Sequence, residues 1–122
     1  MNHVQKQQIT VSSDADLIFL RQMLRQYART MALTPSQQAR VTAAVSEVVR
    51  ALIHQFSSST ITIHCDDGDR RHALVVECDT EIEAYHRVAR QPAVQTAYTL
   101  VDEVEVKQSP IGCHLAMKIR AG

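Results

Sequence analysis

The sequence predicts an α/β (α+β) two-layer sandwich, a mostly antiparallel sheet with its helices on one face. Three observations lead there. Two long stretches carry apolar residues at steps of three and four, the mark of amphipathic helices. Two pairs of short runs flank turn-forming segments and read as antiparallel hairpins. The signals follow one another as strand, helix, helix, two strands, helix, two strands. An antiparallel sheet covered on one side satisfies that order.

Gln8 to Val11 reads as a short first strand, and Ser12, Ser13 and Asp14 then offer helix caps. Leu17, Leu20, Leu24, Tyr27, Ala28 and Met31 share one face and predict a helix over about 16–32. Thr34-Pro35-Ser36-Gln37 is a second start signal. Thr34 caps, Pro35 suits the first turn, and Gln37 completes a capping box, so a second helix runs over about 35–57. Ser57-Ser58-Ser59 ends it.

Thr60 to Cys65 alternates, with Ile61, Ile63 and Cys65 on one face. His72 to Cys78 is its hairpin partner across Asp66-Asp67-Gly68-Asp69. That turn lacks the twelve-residue spacing and terminal Glu of a calcium loop. Asp79 to Gln91 is polar and weakly patterned, and predicts no element. Pro92 opens a short helix with Val94, Ala97, Tyr98 and Val101 on one face. Glu103 to Lys107 and Cys113 to Arg120 form a closing hairpin that turns at Ser109-Pro110-Ile111-Gly112. The sheet then has four or five strands.

A chain of 122 residues fits one domain, 1–122, with a core large enough to fold unaided. Its formal net charge is zero and it holds no basic run, which excludes nucleic-acid binding through a phosphate-neutralising patch. No apolar run approaches a membrane span, and the polar start MNHVQKQQ is not a secretory signal. The expected address is the cytoplasm. Cys65, Cys78 and Cys113 form no CxxC pair and read as small buried apolar residues in a reducing compartment. His64, Cys65, Cys113 and His114 tempt a metal reading. Strand neighbours point to opposite faces, so at most one His pair or one Cys pair shares a face. That falls short of a structural zinc set, and no metal is expected.

The densest chemistry lies in SEVVRALIH, Ser46 to His54, near the end of the second helix. Glu47, Arg50, Ala51 and His54 share one helical face, while Val41, Ala44, Val45, Val48, Leu52 and Phe56 carry the apolar face. The stretch resembles the first nucleotide-binding motif of the histidine-kinase-like ATPases. That superfamily includes histidine kinases, gyrase-type ATPases and bacterial anti-sigma-factor serine kinases. The run DADLIFLRQMLRQYARTMALTPSQQARVTAAVSEVVRALI is similar to the first two helices of the anti-sigma-factor kinases, especially the switch kinases of the stressosome. LVDEVEVKQSPIGCHLAMKIR resembles their closing helix end and hairpin. The likeness runs from Ile9 to Lys118.

The resemblance implies the histidine-kinase-like ATPase fold and a set of site residues. Glu47 stands where that family has its general base, here a relic. Ala51 stands where an Asn would hold Mg²⁺, so that ligand is lost. Asp79 stands where an Asp accepts a hydrogen bond from adenine. The segment Asp79-Thr80-Glu81-Ile82-Glu83 has glutamates for both glycines of the family's Asp-x-Gly-x-Gly motif. Those glycines let the backbone turn sharply, and two carboxylates there oppose a polyphosphate. Val88 to Val94, in place of the glycine-rich phosphate loop, contains no glycine.

These departures point to a pseudokinase with no expected cofactor. Its role is then regulatory binding of a protein partner: an antagonist domain, a phosphatase or a sigma factor. Arg50, His54, Arg87 and Arg90, with the segment from Glu81 to Arg90, are the expected docking residues. Two alternatives stay open. One is an active serine/threonine kinase using ATP and Mg²⁺ on an antagonist domain. The other is a self-associating subunit that forms a homodimer through the sheet edge or first helix.

Overall fold

The computed structural model describes residues 6–67, 72–80, 85–109 and 112–121. Strand β1 is Gln7–Val11, helix α1 Asp14–Thr30, helix α2 Pro35–Phe56, strand β2 Ser59–Asp66 and strand β3 Ala73–Thr80. Helix α3 is Tyr85–Ala89, helix α4 Pro92–Leu100, strand β4 Glu103–Ser109 and strand β5 Gly112–Arg120.

Helix α1 starts two residues before the sequence expectation, because Ser13 caps it. The Ser13 hydroxyl accepts the Asp16 amide at 3.2 Å, and Asp16 Oδ2 accepts the Ser12 amide at 3.0 Å. Asp14 and Asp16 also place negative charge at the positive end of the helix. The helix stops at Thr30 through a left-handed turn. Ala32 has φ 57°, its amide reaches the Arg29 carbonyl, and the Leu33 amide reaches the Ala28 carbonyl at 2.9 Å. That is a Schellman closure made without glycine.

Helix α2 begins on the expected capping box. The Thr34 hydroxyl accepts the Gln37 amide at 3.1 Å, and Gln37 Oε1 accepts the Thr34 amide at 3.0 Å. It ends at Ser57, which has φ 73°. Among the described residues, the one element that the sequence did not predict is α3, inside the polar stretch after β3. Its single buried apolar anchor among residues 87–89 is Val88, too little to set up a period.

The five strands form one sheet in the order β1-β2-β3-β5-β4. Every neighbouring pair is antiparallel. Alternation divides the sheet into two faces. Val11, Ile61, Ile63, Leu74, Val76, Cys78, Leu115, Met117 and Ile119 join Leu17, Leu20, Leu24, Val45, Val48 and Leu52 of the helices in one core. The other face is polar. There His64 meets Glu77 at 3.4 Å, His114 meets Asp79 at 2.6 Å, and Lys118 meets Asp66 at 3.1 Å. Such partly exposed pairs stabilise little individually. Together they leave one face of the sheet wet, so the helices occupy one layer, as predicted. Among the described residues, no helix is long and apolar enough to cross a membrane.

Candidate docking groove

Helices α1 and α2 bury their apolar stripes in the sheet and leave a groove between their outer sides. Arg21, Arg25 and Arg29 recur every four residues along α1 and line one wall. Ala39, Thr42, Ala43 and Ser46 line the other, at i, i+3, i+4 and i+7 of α2. Their small side chains are why a groove exists at all: larger groups there would close it. Its volume is about 660 Å³.

Arg21 is anchored across the groove by its Nε, which donates to Ser46 Oγ at 3.0 Å. Ser46 is buried, so its hydroxyl fixes the guanidinium in a set position. Arg25 and Arg29 are exposed. Among the described residues, Glu47 is the one carboxylate in the lining, against three guanidinium groups. A neutral chain thus concentrates positive charge in one concavity, where low-dielectric walls strengthen its field. Guanidinium forks in that setting suit carboxylates.

Glu47, Arg50, Ala51 and His54 share the expected α2 face. Glu47 Oε1 accepts from Arg50 Nη1 at 3.2 Å. Both side chains are about half exposed, so this is an ordinary i,i+3 surface pair. His54 is exposed and Ala51 half-buried. Arg87 lies with its guanidinium carbon 5.3 Å from the centre of the Phe56 ring, so α3 is docked on the C-terminal end of α2. Arg90 is exposed in the turn after α3. Glu81 and Glu83 lie outside the described residues.

Asp79 does not join this group. Leu74, Val76 and Cys78 of β3 face the helices, so alternation turns Asp79 onto the opposite face. There its Oδ1 meets His114 Nδ1 at 2.6 Å. The sheet itself separates Asp79 from Glu47, and the adenine role drawn from the resemblance has no geometric counterpart beside α2. His64 and His114 do share that outer face, flanking Glu77, while Cys65 and Cys113 point inward on strands separated by β3.

No family model matches the chain, and no curated protein matches it. Among solved structures, the crystal structure of the RsbU and RsbW domains of Rv1364c from Mycobacterium tuberculosis is similar. The TM-score is 0.71 at 17% identity, over 97% of this chain and 33% of that one. The shared architecture is a five-stranded antiparallel sheet with its helices on one face. The chain spans about a third of the length of the protein it matches. At this identity the likeness extends to the fold alone. In this chain α2 carries Glu47 and Ala51, and α1 carries Arg21, Arg25 and Arg29.

Proposed function

We propose that this chain is a regulatory protein-binding module that holds an acidic segment of its partner in the α1–α2 groove. The carrying observation is the stack of Arg21, Arg25 and Arg29 facing a wall of small residues. The partner classes that the resemblance implies are an antagonist domain, a phosphatase or a sigma factor, met in the cytoplasm. Arg50 and His54 extend the same surface along α2, and Arg87 and Arg90 lie beyond its end.

Efficient phosphoryl transfer is not part of this reading. Phosphoryl transfer relies on positioning and charge stabilisation around a bound nucleotide and metal. Ala51 offers no oxygen for Mg²⁺, and Asp79 faces away from α2. The kinase reading is tested directly by titrating ATP with Mg²⁺ into the pure protein. Micromolar, Mg²⁺-dependent binding would promote it over the present one.

The docking reading is tested by reversing Arg25 and Arg29 to Glu and measuring capture of a candidate antagonist domain or sigma factor. The double variant is expected to lose about 2 kcal/mol or more of affinity if both guanidinium groups are buried in the complex. Equal capture by variant and parent would move the working surface elsewhere.

A second reading, self-association, rests on a different patch. Ile18 and Phe19 are more than half exposed, and among the described residues β1 is an edge strand with one neighbour. Exposed apolar groups beside a free edge invite pairing with another copy. Sedimentation of the parent against Phe19→Lys separates this reading from the first, since the arginine groove is untouched.

A further inference from the structure

The end of the β2–β3 hairpin brings together three side chains that the sequence reading did not group. The antiparallel ladder ends with Asp66 opposite Ala73. Continued by one step, that register sets Asp67 opposite His72. Cys65 precedes Asp67 by two residues and therefore lies on the same face. A sulfur, a carboxylate oxygen and a ring nitrogen, one from each residue, lie within 4.8 Å of one another. Cys65 Sγ donates to Asp67 Oδ1 at 3.2 Å, and His72 Nδ1 meets the same oxygen.

We propose that Cys65, Asp67 and His72 form a binding site for a divalent transition-metal ion, with zinc as the best fit. The donor set is the argument. Thiolate, imidazole and carboxylate together suit borderline and soft ions and are a poor match for calcium or magnesium, which prefer oxygen alone. Zinc bonds of about 2.0–2.3 Å put tetrahedral ligand atoms roughly 3.3–3.7 Å apart. The sulfur–oxygen separation is already 3.2 Å, and the imidazole, in close contact with the same oxygen, would move away from it to reach a ligand spacing.

The backbone supports the arrangement. The His72 carbonyl accepts the Ala121 amide at 2.8 Å, which ties the His72 main chain to the end of β5. Cys65 is half-buried at the lower edge of the core, whereas Asp67 and His72 are exposed. An ion can therefore enter from solvent and keep water at its fourth position. On binding, the Cys65 thiol releases its proton to solvent. Asp67 binds as the carboxylate, and His72 offers Nδ1 with its remaining proton on Nε2. No oxidation is involved. The ion would clamp the two strands where the ladder stops.

The test uses the full chain with Zn²⁺ and Co²⁺ as the only probes. One equivalent of Co²⁺ is expected to give a sulfur-to-cobalt charge-transfer band, and Zn²⁺ to displace it and raise the melting temperature. Cys65→Ser should abolish the band, leaving Cys78 and Cys113 unaffected in the core. His72→Ala and Asp67→Asn should each weaken binding by more than the roughly 10–100-fold that loss of an outer partner produces. Both replace exposed groups, so they remain informative if Cys65→Ser folds poorly. The proposal is overturned if excess Zn²⁺ neither binds nor shifts melting. It is equally overturned if the band survives in Cys65→Ser, or if affinity is unchanged in the His72 and Asp67 variants.

Discussion

Gln37 Nε2 donates to the Arg120 carbonyl at 2.6 Å, across 83 positions of sequence. The same side chain accepts the Thr34 amide through Oε1, so one buried amide both caps α2 and ties it to the last strand. The two functions use different atoms and can be separated. Gln37→Ala removes both and is expected to destabilise by about 1–3 kcal/mol. Gln37→Glu keeps an acceptor for the cap but sets a carboxylate against a carbonyl, and should be at least as damaging at neutral pH. Denaturant unfolding of the two variants checks this. A Glu variant as stable as the parent would show that the tie to Arg120 contributes little.

Ala32 is the opposite case, a position where a smaller residue should help. Its left-handed φ of 57° penalises a side chain, and nothing in its turn needs one. Left-handed backbone costs an L-residue roughly 1–2 kcal/mol, and the extra unfolded-state freedom of glycine returns about 0.4–1 of that. Ala32→Gly should therefore stabilise by about 0.5–1 kcal/mol. A lower denaturation midpoint in this variant would refute the account.

The cysteines should react in a fixed order. Burial, reinforced by the Asp67 hydrogen bond and the nearby Asp67 and Asp66 charges, pushes the Cys65 thiol up from 9.0 to about 11. Burial pushes Cys78 and Cys113 up as well. The folded state thus favours the protonated thiol. Stability from this source is complete below the ordinary thiol value and is lost as the pH rises from about 9 through about 11. Alkylation at pH 8 without metal should be slow at all three. Cys65 should gain reactivity first as pH climbs, and Cys78 and Cys113 should react only on unfolding. Mass mapping of alkylated peptides reads the order.

Ala51→Asn alone should not create a kinase. The substitution restores an oxygen on the right face of α2, but leaves the glycine-free segment and Asp79 on the far side of the sheet. Transfer of labelled phosphate from ATP to an antagonist domain is expected at background level. Signal above background would mean that the missing metal ligand was the main defect.

Arg87→Ala should lower stability by about 0.5–1 kcal/mol through loss of the Phe56 contact. If melting is unmoved and partner capture falls, Arg87 serves the interface instead.

The legible parts of this chain were those with local signals. The Thr34–Gln37 capping box set the start of α2, and alternation at Ile61, Ile63 and Cys65 set the sheet face. Helix α3 was illegible because one apolar residue cannot show a period. The position of Asp79 was readable: Leu74, Val76 and Cys78 already assigned it to the polar face. The arginine stripe lies at four-residue steps along α1, but nothing local says that a wall of small residues faces it. The Cys65–Asp67–His72 cluster was hidden, because nothing in the sequence sets the register that ends with Asp66 opposite Ala73 and so brings Asp67 beside His72.

Among the described residues, strand β4 pairs only with β5, and β5 lies between β3 and β4. During synthesis, then, β4 leaves the ribosome with no strand to bond to, because β3 is not its neighbour. The half of the sheet made of β1, β2 and β3 can assemble beneath α1 and α2 while the rest is still being made. The last strand enters as a wedge that simultaneously completes β3 and recruits β4. Until it arrives, β3 presents an unpaired backbone edge along the residues that β5 later bonds. This topology makes the closing hairpin the step on which escape from aggregation depends.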